Sequence, residues 1–147
     1  MEKMPMKTWK KGSSTINEKP TVLLVDDSPV ALKAAIDMFL FLGCETQSAK
    51  NSKEAIILVR QLKLMHKTLS LAVFDIEMKN EDGHQENGDQ LAKRVHEIYP
   101  SLRIFAVTSI SKGSMNLVDQ SDLDGLFQKP LDIGLCQKLL KDVKKVC

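Results

Sequence analysis

Residues 21–29 read TVLLVDDSP. Thr21–Val25 is a compact strand-like run rich in β-branched residues. It runs straight into two carboxylates, Asp26 and Asp27. Pro29 then suits the first turn of a helix, because its missing N–H is not needed there. A strand that ends on charge and turns at once into a helix is the opening unit of an alternating α/β sheet.

Working outward, the unit repeats. Val30, Ala34, Met38 and Phe41 follow Pro29 at helical spacing, and Gly43 suits the helix end. Cys44–Gln47 is a weak second strand. Asn51 and Glu54 have the spacing of a capping box, which predicts a helix reaching about Met65. Leu69–Phe74 is a third strand, followed by a polar loop from Glu77 to Asp89. Leu91, Val95 and Ile98 mark a third helix, Arg103–Val107 a fourth strand and Lys112–Gln120 a short helix. Gly125–Gln128 is a fifth strand. Asp132 caps a last helix whose apolar face carries Leu135, Leu139 and Val143. The order is (βα)5, which predicts a doubly wound parallel five-stranded sheet with right-handed crossovers.

The chain has 147 residues, 43% of them hydrophobic and 27% charged, a globular composition for one ordinary domain. Its net charge of +2 is unevenly spread. Residues 1–19 carry five Lys against two Glu, so the remainder carries −1. We read 1–19 as a flexible basic leader that includes Trp9, and 20–147 as the folded domain. No strongly basic face points to nucleic acid, and no apolar run approaches the length of about eighteen residues that spans a membrane. Cys44, Cys136 and Cys147 form no metal-ligand pattern, which suits a reducing, cytoplasmic setting. Cys44 and Cys136 read as buried small hydrophobes, and Cys147 as exposed. Met38, Met65 and Met78 read as packing residues, and His66 and His96 as partly exposed helix residues.

Chemistry gathers at the carboxyl ends of the strands, where open α/β sheets bind ligands. Asp26 and Asp27 follow the first strand and Asp75 ends the third. Thr108 and Ser109 end the fourth, and Lys129 ends the fifth ahead of Pro130. Three converging carboxylates repel one another and call for a counter-charge. A hard cation with a preference for oxygen, Mg2+, meets that need. A carboxylate nucleophile attacking phosphorus, with Lys129 pairing with the same oxygens, fits the set.

These segments resemble those of the response-regulator receiver domains of two-component signalling. The matching pieces are LLVDDS at 23–28, FDIEM at 74–78, DG at 82–83, VTS at 107–109 and KP at 129–130. The resemblance covers residues 20–146 and implies a flavodoxin-like fold. It implies that Asp75 is the phosphoacceptor, with Thr108 and Lys129 as its catalytic companions. Asp26, Asp27 and Asp75 would hold Mg2+, or Mn2+ in its place, with the backbone carbonyl of Glu77. Pro130 would follow a cis peptide bond. The donor would be a sensor histidine kinase or a histidine phosphotransfer protein, and the recipient of the signal a downstream protein target. The chain would work as a monomer or as a phosphorylation-dependent dimer, with neither nucleic acid nor stable membrane insertion. Its output would come from the domain's own surface or from the basic leader.

Four positions depart from the family pattern. Lys79 stands where proline is usual, and Leu126 stands where many members carry a rotating aromatic. Phe127, next door, should face the other side of its strand. The expected glycine is missing ahead of Asp124–Gly125. The stretch DGHQENGDQL holds two possible helix starts, Gly83 and Gly88. Gly88 fits Leu91 and Val95 better, which implies an insertion of about five residues at 83–87 beside the active face. His84, Glu86 and Asp89 read as solvated loop residues and Glu77 as solvent-facing. The leading function is a phosphoacceptor switch. The alternative is an interaction module of the same fold that signals by binding alone. An independent phosphohydrolase lacks an evident substrate cap, and a nucleic-acid-binding role rests only on Lys138, Lys141, Lys144 and Lys145.

Overall fold

The computed structural model describes residues 19–79 and 85–146, and for Glu86 and residues 144–146 the backbone alone. Trp9, His84, Cys147 and all but the last residue of the basic leader lie outside the described residues.

Five parallel strands form the central sheet: β1 (Thr21–Val25), β2 (Glu45–Ala49), β3 (Leu71–Asp75), β6 (Ile104–Thr108) and β7 (Gly125–Gln128). Between β3 and β6 lie two short antiparallel strands, β4 (Glu77–Lys79) and β5 (Gln85–Asn87). The helices are α1 (Pro29–Phe41), α2 (Ser52–Leu64), α3 (Gly88–Ile98) and α4 (Ile133–Val146), with a 3₁₀ helix at Lys112–Leu117. The sheet order is β2-β1-β3-β6-β7. The order reverses between β1 and β3, the switch point at which doubly wound sheets bind ligands.

Every residue of β1, β3 and β6 is buried, as expected of parallel strands covered on both faces. Their side chains alternate between two cores. Leu23, Val25, Ala72, Phe74 and Ile104 pack under α2 and α3. Val22, Leu24, Leu71, Val73, Phe105 and Val107 pack under α1 and α4. Edge strand β2 reads ETQSA and is largely exposed. It therefore carries little hydrophobic signal, and it begins one residue later than its sequence suggests. β3 likewise begins at Leu71, two residues later.

Helix α1 starts where expected. The Ser28 hydroxyl accepts from Ala31 N–H at 3.2 Å, and Pro29 stands in the first turn. Gly43 follows the helix at φ +89°, a conformation that favours glycine. The buried face, however, differs from the expected one. Ala35 and Phe39 are buried, with Leu32 and Ile36 beside them, while Val30 is 81% exposed and Phe41 82%. Met38–Leu42 is apolar all round, so helical spacing is satisfied by more than one stripe. In α2, Asn51 Oδ1 accepts from Glu54 N–H at 2.8 Å. The returning Glu54 carboxylate takes Lys50 N–H at 3.3 Å, one residue ahead of the cap itself. Met65 is exposed at the end of α2, whereas Met78 is fully buried. The region expected as a short helix over 112–120 is a 3₁₀ helix that stops at Leu117.

Cys44 and Cys136 are buried, as expected. Burial pushes the Cys136 thiol up to about 12, so it carries negligible thiolate at neutral pH. His66 is exposed and takes φ +57° just beyond α2. His96 is half-buried on α3, with Nδ1 2.8 Å from Asp122 Oδ1 and Nε2 2.9 Å from the Leu102 carbonyl. Both neighbours are acceptors, so only the imidazolium satisfies both ring nitrogens. Burial alone would lower its pKa, but the Asp122 and Leu102 hydrogen bonds outweigh that and raise it. The stability it contributes is full below the unfolded value near 6.5 and fades as pH rises through the raised folded value. His96→Asn is therefore expected to cost about 1 kcal/mol at pH 6 and measurably less at pH 9. Urea unfolding at the two pH values reads the difference.

Candidate functional site

Each candidate side chain sits at the carboxyl edge of the sheet because its strand ends there. Asp26 and Asp27 leave β1, Asp75 closes β3 and Thr108 closes β6. Lys129 follows β7, and its N–H donates to the Thr108 carbonyl at 2.7 Å. The Lys129–Pro130 peptide bond is cis, as the resemblance implies. Central strand β3 lies between β1 and β6, so Asp75 stands between the acidic pair and the threonine.

Lys129 Nζ lies 3.1 Å from Asp75 Oδ1 and 3.6 Å from Asp26 Oδ2. Carboxylate oxygens of Asp26, Asp27 and Asp75 all lie within 4.8 Å of one another. The backbone orients them. Asp26 Oδ1 accepts from Ser28 N–H at 2.9 Å, Asp27 Oδ2 from Lys79 N–H at 3.0 Å, and Asp75 Oδ1 from Glu77 N–H at 3.3 Å. Asp75 is 2% exposed and Asp26 8%. An apolar cavity of about 140 Å³ lies against them, walled by Leu24, Leu32, Ala35, Val107 and Leu131.

This setting accounts for the electrostatics. Burial, and then the Asp26 charge, push the Asp75 carboxyl up to about 7, despite the opposing pull of Lys129. Burial would lower Lys129, but the charges of Asp75 and Asp26 outweigh it and raise it. A half-buried ammonium thus stays charged beside a carboxylate that is reluctant to ionise. Such a site gains from any further positive charge.

Two features escaped the sequence reading. Glu77 is half-buried, and its carboxylate is not left to solvent. Its Oε2 accepts from the Thr108 hydroxyl, and its Oε1 accepts from both the N–H and the hydroxyl of Ser109, each at 3.0 Å. Nothing local in the sequence signals a contact that spans 31 residues. The second feature is the hairpin. Where the sequence suggests a loop from Glu77 to Asp89, β4 and β5 pair antiparallel and α3 begins at Gly88. Gly88, the better of the two proposed helix starts, is the one used. A Cβ there would fall 2.4 Å from the Asp75 carbonyl oxygen, so only glycine lets α3 start this close to β3.

Asp89 is not left to solvent, since its Oδ2 accepts from Asp119 N–H at 3.2 Å. The Lys79 side chain is exposed. Phe127 faces the core shared by α1 and α4, 6.2 Å from Phe105 between ring centroids, as strand alternation requires. Leu126 is half-buried on β7.

Comparison with known proteins gives a consistent picture. The family described as "Response regulator receiver domain" matches residues 22–141. The autoinducer 1 sensor kinase/phosphatase LuxN of Vibrio campbellii is 29% identical over 126 residues, as is that of Vibrio harveyi. The match takes in 84% of this chain but only 13% of LuxN. A CheY-like receiver domain from Methanospirillum hungatei is similar in structure at a TM-score of 0.72 and 20% identity, covering 87% of this chain and 96% of that one. The response regulator TrrA from Thermotoga maritima, solved in complex with Mg2+-BeF, has a TM-score of 0.68 at 19% identity, covering 84% of this chain and 98% of its own. Among the described residues, no helix is long and apolar enough to cross a membrane.

Proposed function

Since the chain belongs to the response-regulator receiver domain family, we propose that it is a phosphoacceptor switch whose nucleophile is Asp75. One observation carries this reading: a carboxylate buried at the end of the central strand lies 3.1 Å from an ammonium, with two more carboxylates within reach. An Asp75 oxygen attacks the phosphorus of a phosphohistidine. A P–O bond forms, the P–N bond breaks, and the imidazole leaves with the electron pair and takes up a proton. Lys129 orients the carboxylate before transfer and pairs with a phosphoryl oxygen after it. Thr108 then donates its hydroxyl to the phosphoryl group, and the added charge is read as a change of surface. Loss of the phosphate by attack of water would return the switch to rest.

The donor set suits Mg2+. Three carboxylates and the Glu77 carbonyl are hard oxygen ligands, and Lys129 alone leaves the cluster short of positive charge. Bound there, the ion would neutralise the incoming phosphoryl oxygens, and Mn2+ offers the same chemistry. A sensor kinase or histidine phosphotransfer protein is the donor class, consistent with the sensor kinase to which the chain is similar. Such donors draw on cellular ATP, so the cytoplasm is the compartment this reading requires. Residues 20–147 would form the receiver unit, preceded by the leader.

The test uses ³²P-acetyl phosphate with Mg2+. The expected product carries a hydroxylamine-labile acyl phosphate that borohydride reduction maps to Asp75. Label mapped to any other residue, or no label with Mg2+ present, overturns the reading. The second reading, binding without phosphorylation, gains from one observation: Thr108 and Ser109 are already held by Glu77. Target binding that ignores the phosphodonor would favour it.

A further inference from the structure

Proton arithmetic at Thr108 carries a consequence for the switch. Its side chain is fully buried. Its Oγ1 accepts from Ile110 N–H at 3.0 Å, which fixes the oxygen, and its single hydroxyl proton is donated to Glu77 Oε2. A hydroxyl has one proton to give. While Glu77 holds it, no phosphoryl oxygen on Asp75 receives it.

The rest of the contact makes the hold strong. Glu77 Oε1 takes two more donors, the N–H and hydroxyl of Ser109, so one carboxylate gathers three hydrogen bonds from the segment that closes β6. Hydrogen bonds to an ionised carboxylate are about twice as strong as neutral ones. The backbone of the same strand is anchored on both sides of the site. Glu77 N–H donates to Asp75, and Lys79 N–H donates to Asp27. Strand β5 pairs with it at Glu77↔Asn87, Met78↔Glu86 and Lys79↔Gln85, which stiffens the carrier of the carboxylate.

We infer that Glu77 is a positioning residue that acts as an internal clasp, an anion built into the chain that competes with the phosphoryl group on Asp75 for the Thr108 hydroxyl. The inference rests on the phosphoacceptor reading and adds a threshold to it. Phosphorylation engages Thr108 only by displacing Glu77, so the resting state is held by defined bonds and the clasp sets how readily the switch throws. The hairpin of β4 and β5 is the device that holds the clasp in place.

The experiment has two readouts. In metal-free protein without phosphodonor, hydrogen exchange at Ser109 N–H is expected to speed up at least about tenfold in Glu77→Ala, while exchange at Ser28 N–H, bonded to Asp26, stays as it was. Unchanged Ser109 exchange overturns the clasp. The second readout is binding of beryllofluoride with Mg2+, followed by ¹⁹F NMR. Glu77→Ala is expected to bind about tenfold tighter than the parent chain, and Glu77→Gln, which keeps an acceptor but loses the charge, to fall between.

Thr108→Val separates competition for the hydroxyl from plain repulsion between anions. With the hydroxyl gone, most of the gain from Glu77→Ala should vanish. A gain that persists in full in the Thr108→Val background overturns the proposal, as does a Glu77→Ala affinity equal to that of the parent chain. Beryllofluoride binding that Glu77 does not influence sinks the clasp alone. Absence of binding in parent and variants alike sinks the phosphoacceptor reading, and the clasp with it.

Discussion

Asp75→Asn is expected to abolish incorporation from a phosphodonor and, in metal-free protein, to raise stability at pH 8. The first effect would be loss of the proposed nucleophile, since the amide oxygen cannot form a stable acyl phosphate. The second follows from the cost of keeping a carboxylate charged in this place. Burial and Asp26 hold Asp75 up at about 7, against 3.8 for an ordinary aspartate. Between those values the folded chain holds a proton that the unfolded chain has released. Stability therefore falls as pH rises through that window, and the full penalty is present above it. Replacing the carboxylate by an amide of the same shape removes the penalty but also weakens the Lys129 contact, so the net gain is about 2 kcal/mol at pH 8. Near pH 4 the folded carboxyl is protonated and the unfolded one about half so, and most of the gain should vanish. Urea unfolding of parent and variant at pH 8 and pH 4, without divalent cations, checks the sign. Lower stability of the variant at pH 8 would show that Lys129 already compensates the charge.

The same accounting predicts what a divalent cation does to the parent chain. A ligand that binds only the folded state stabilises it in proportion to the logarithm of its saturation. Millimolar Mg2+ should raise the melting temperature at pH 8, more weakly at pH 5 where Asp75 is largely protonated, and least in Asp75→Asn. The penalty built into the cluster of carboxylates is the reserve on which ion binding would draw.

The parts of this site legible in the sequence are those encoded locally. Asp26, Asp27, Asp75, Thr108 and Lys129 each follow an apolar run, and strand ends on one sheet edge bring them together whatever the helices do. Strands β1, β3 and β6 were equally readable, because burial on both faces demands unbroken apolar runs. Edge strand β2 was hard to place because ETQSA has little to bury. The buried stripe of α1 could not be chosen from spacing alone when Phe39, Leu40 and Phe41 are all apolar and only the first is buried. The hairpin strands EMK and QEN are short and mostly polar, with no period long enough to register. The Glu77 clasp depends on where β3 and β6 lie relative to each other, and that is a property of the sheet.

Gly88→Ala should be the most damaging small substitution near the site. Its added Cβ would meet the Asp75 carbonyl oxygen at 2.4 Å, the Asp75 carbonyl carbon at 3.1 Å and Ile76 Cα at 3.2 Å. All three are backbone atoms of the central strand end, so no side chain can swing aside. The helix cannot simply back away either. Gly88 N–H donates to the Ile76 carbonyl at 2.9 Å, and Leu91, Ala92 and Val95 are fully packed one turn on. Overpacking of this kind costs about 2–3 kcal/mol, enough to lower the melting temperature by roughly 6–12 °C in a domain of this size. Because the strain falls on the peptide that carries Asp75, phosphodonor labelling should slow even at temperatures where the variant stays folded. Gly134→Ala, at an exposed position in the first turn of α4, is the control, since its Cβ meets only Asp132 Oδ1 at an ordinary 3.4 Å. A neutral or stabilising Gly134→Ala beside a damaging Gly88→Ala would tie the loss to the contact with β3 and not to glycine's effect on helices in general. Equal effects at the two positions would mean that α3 has room to slide. The placement of Asp75 would then owe nothing to a helix start at Gly88.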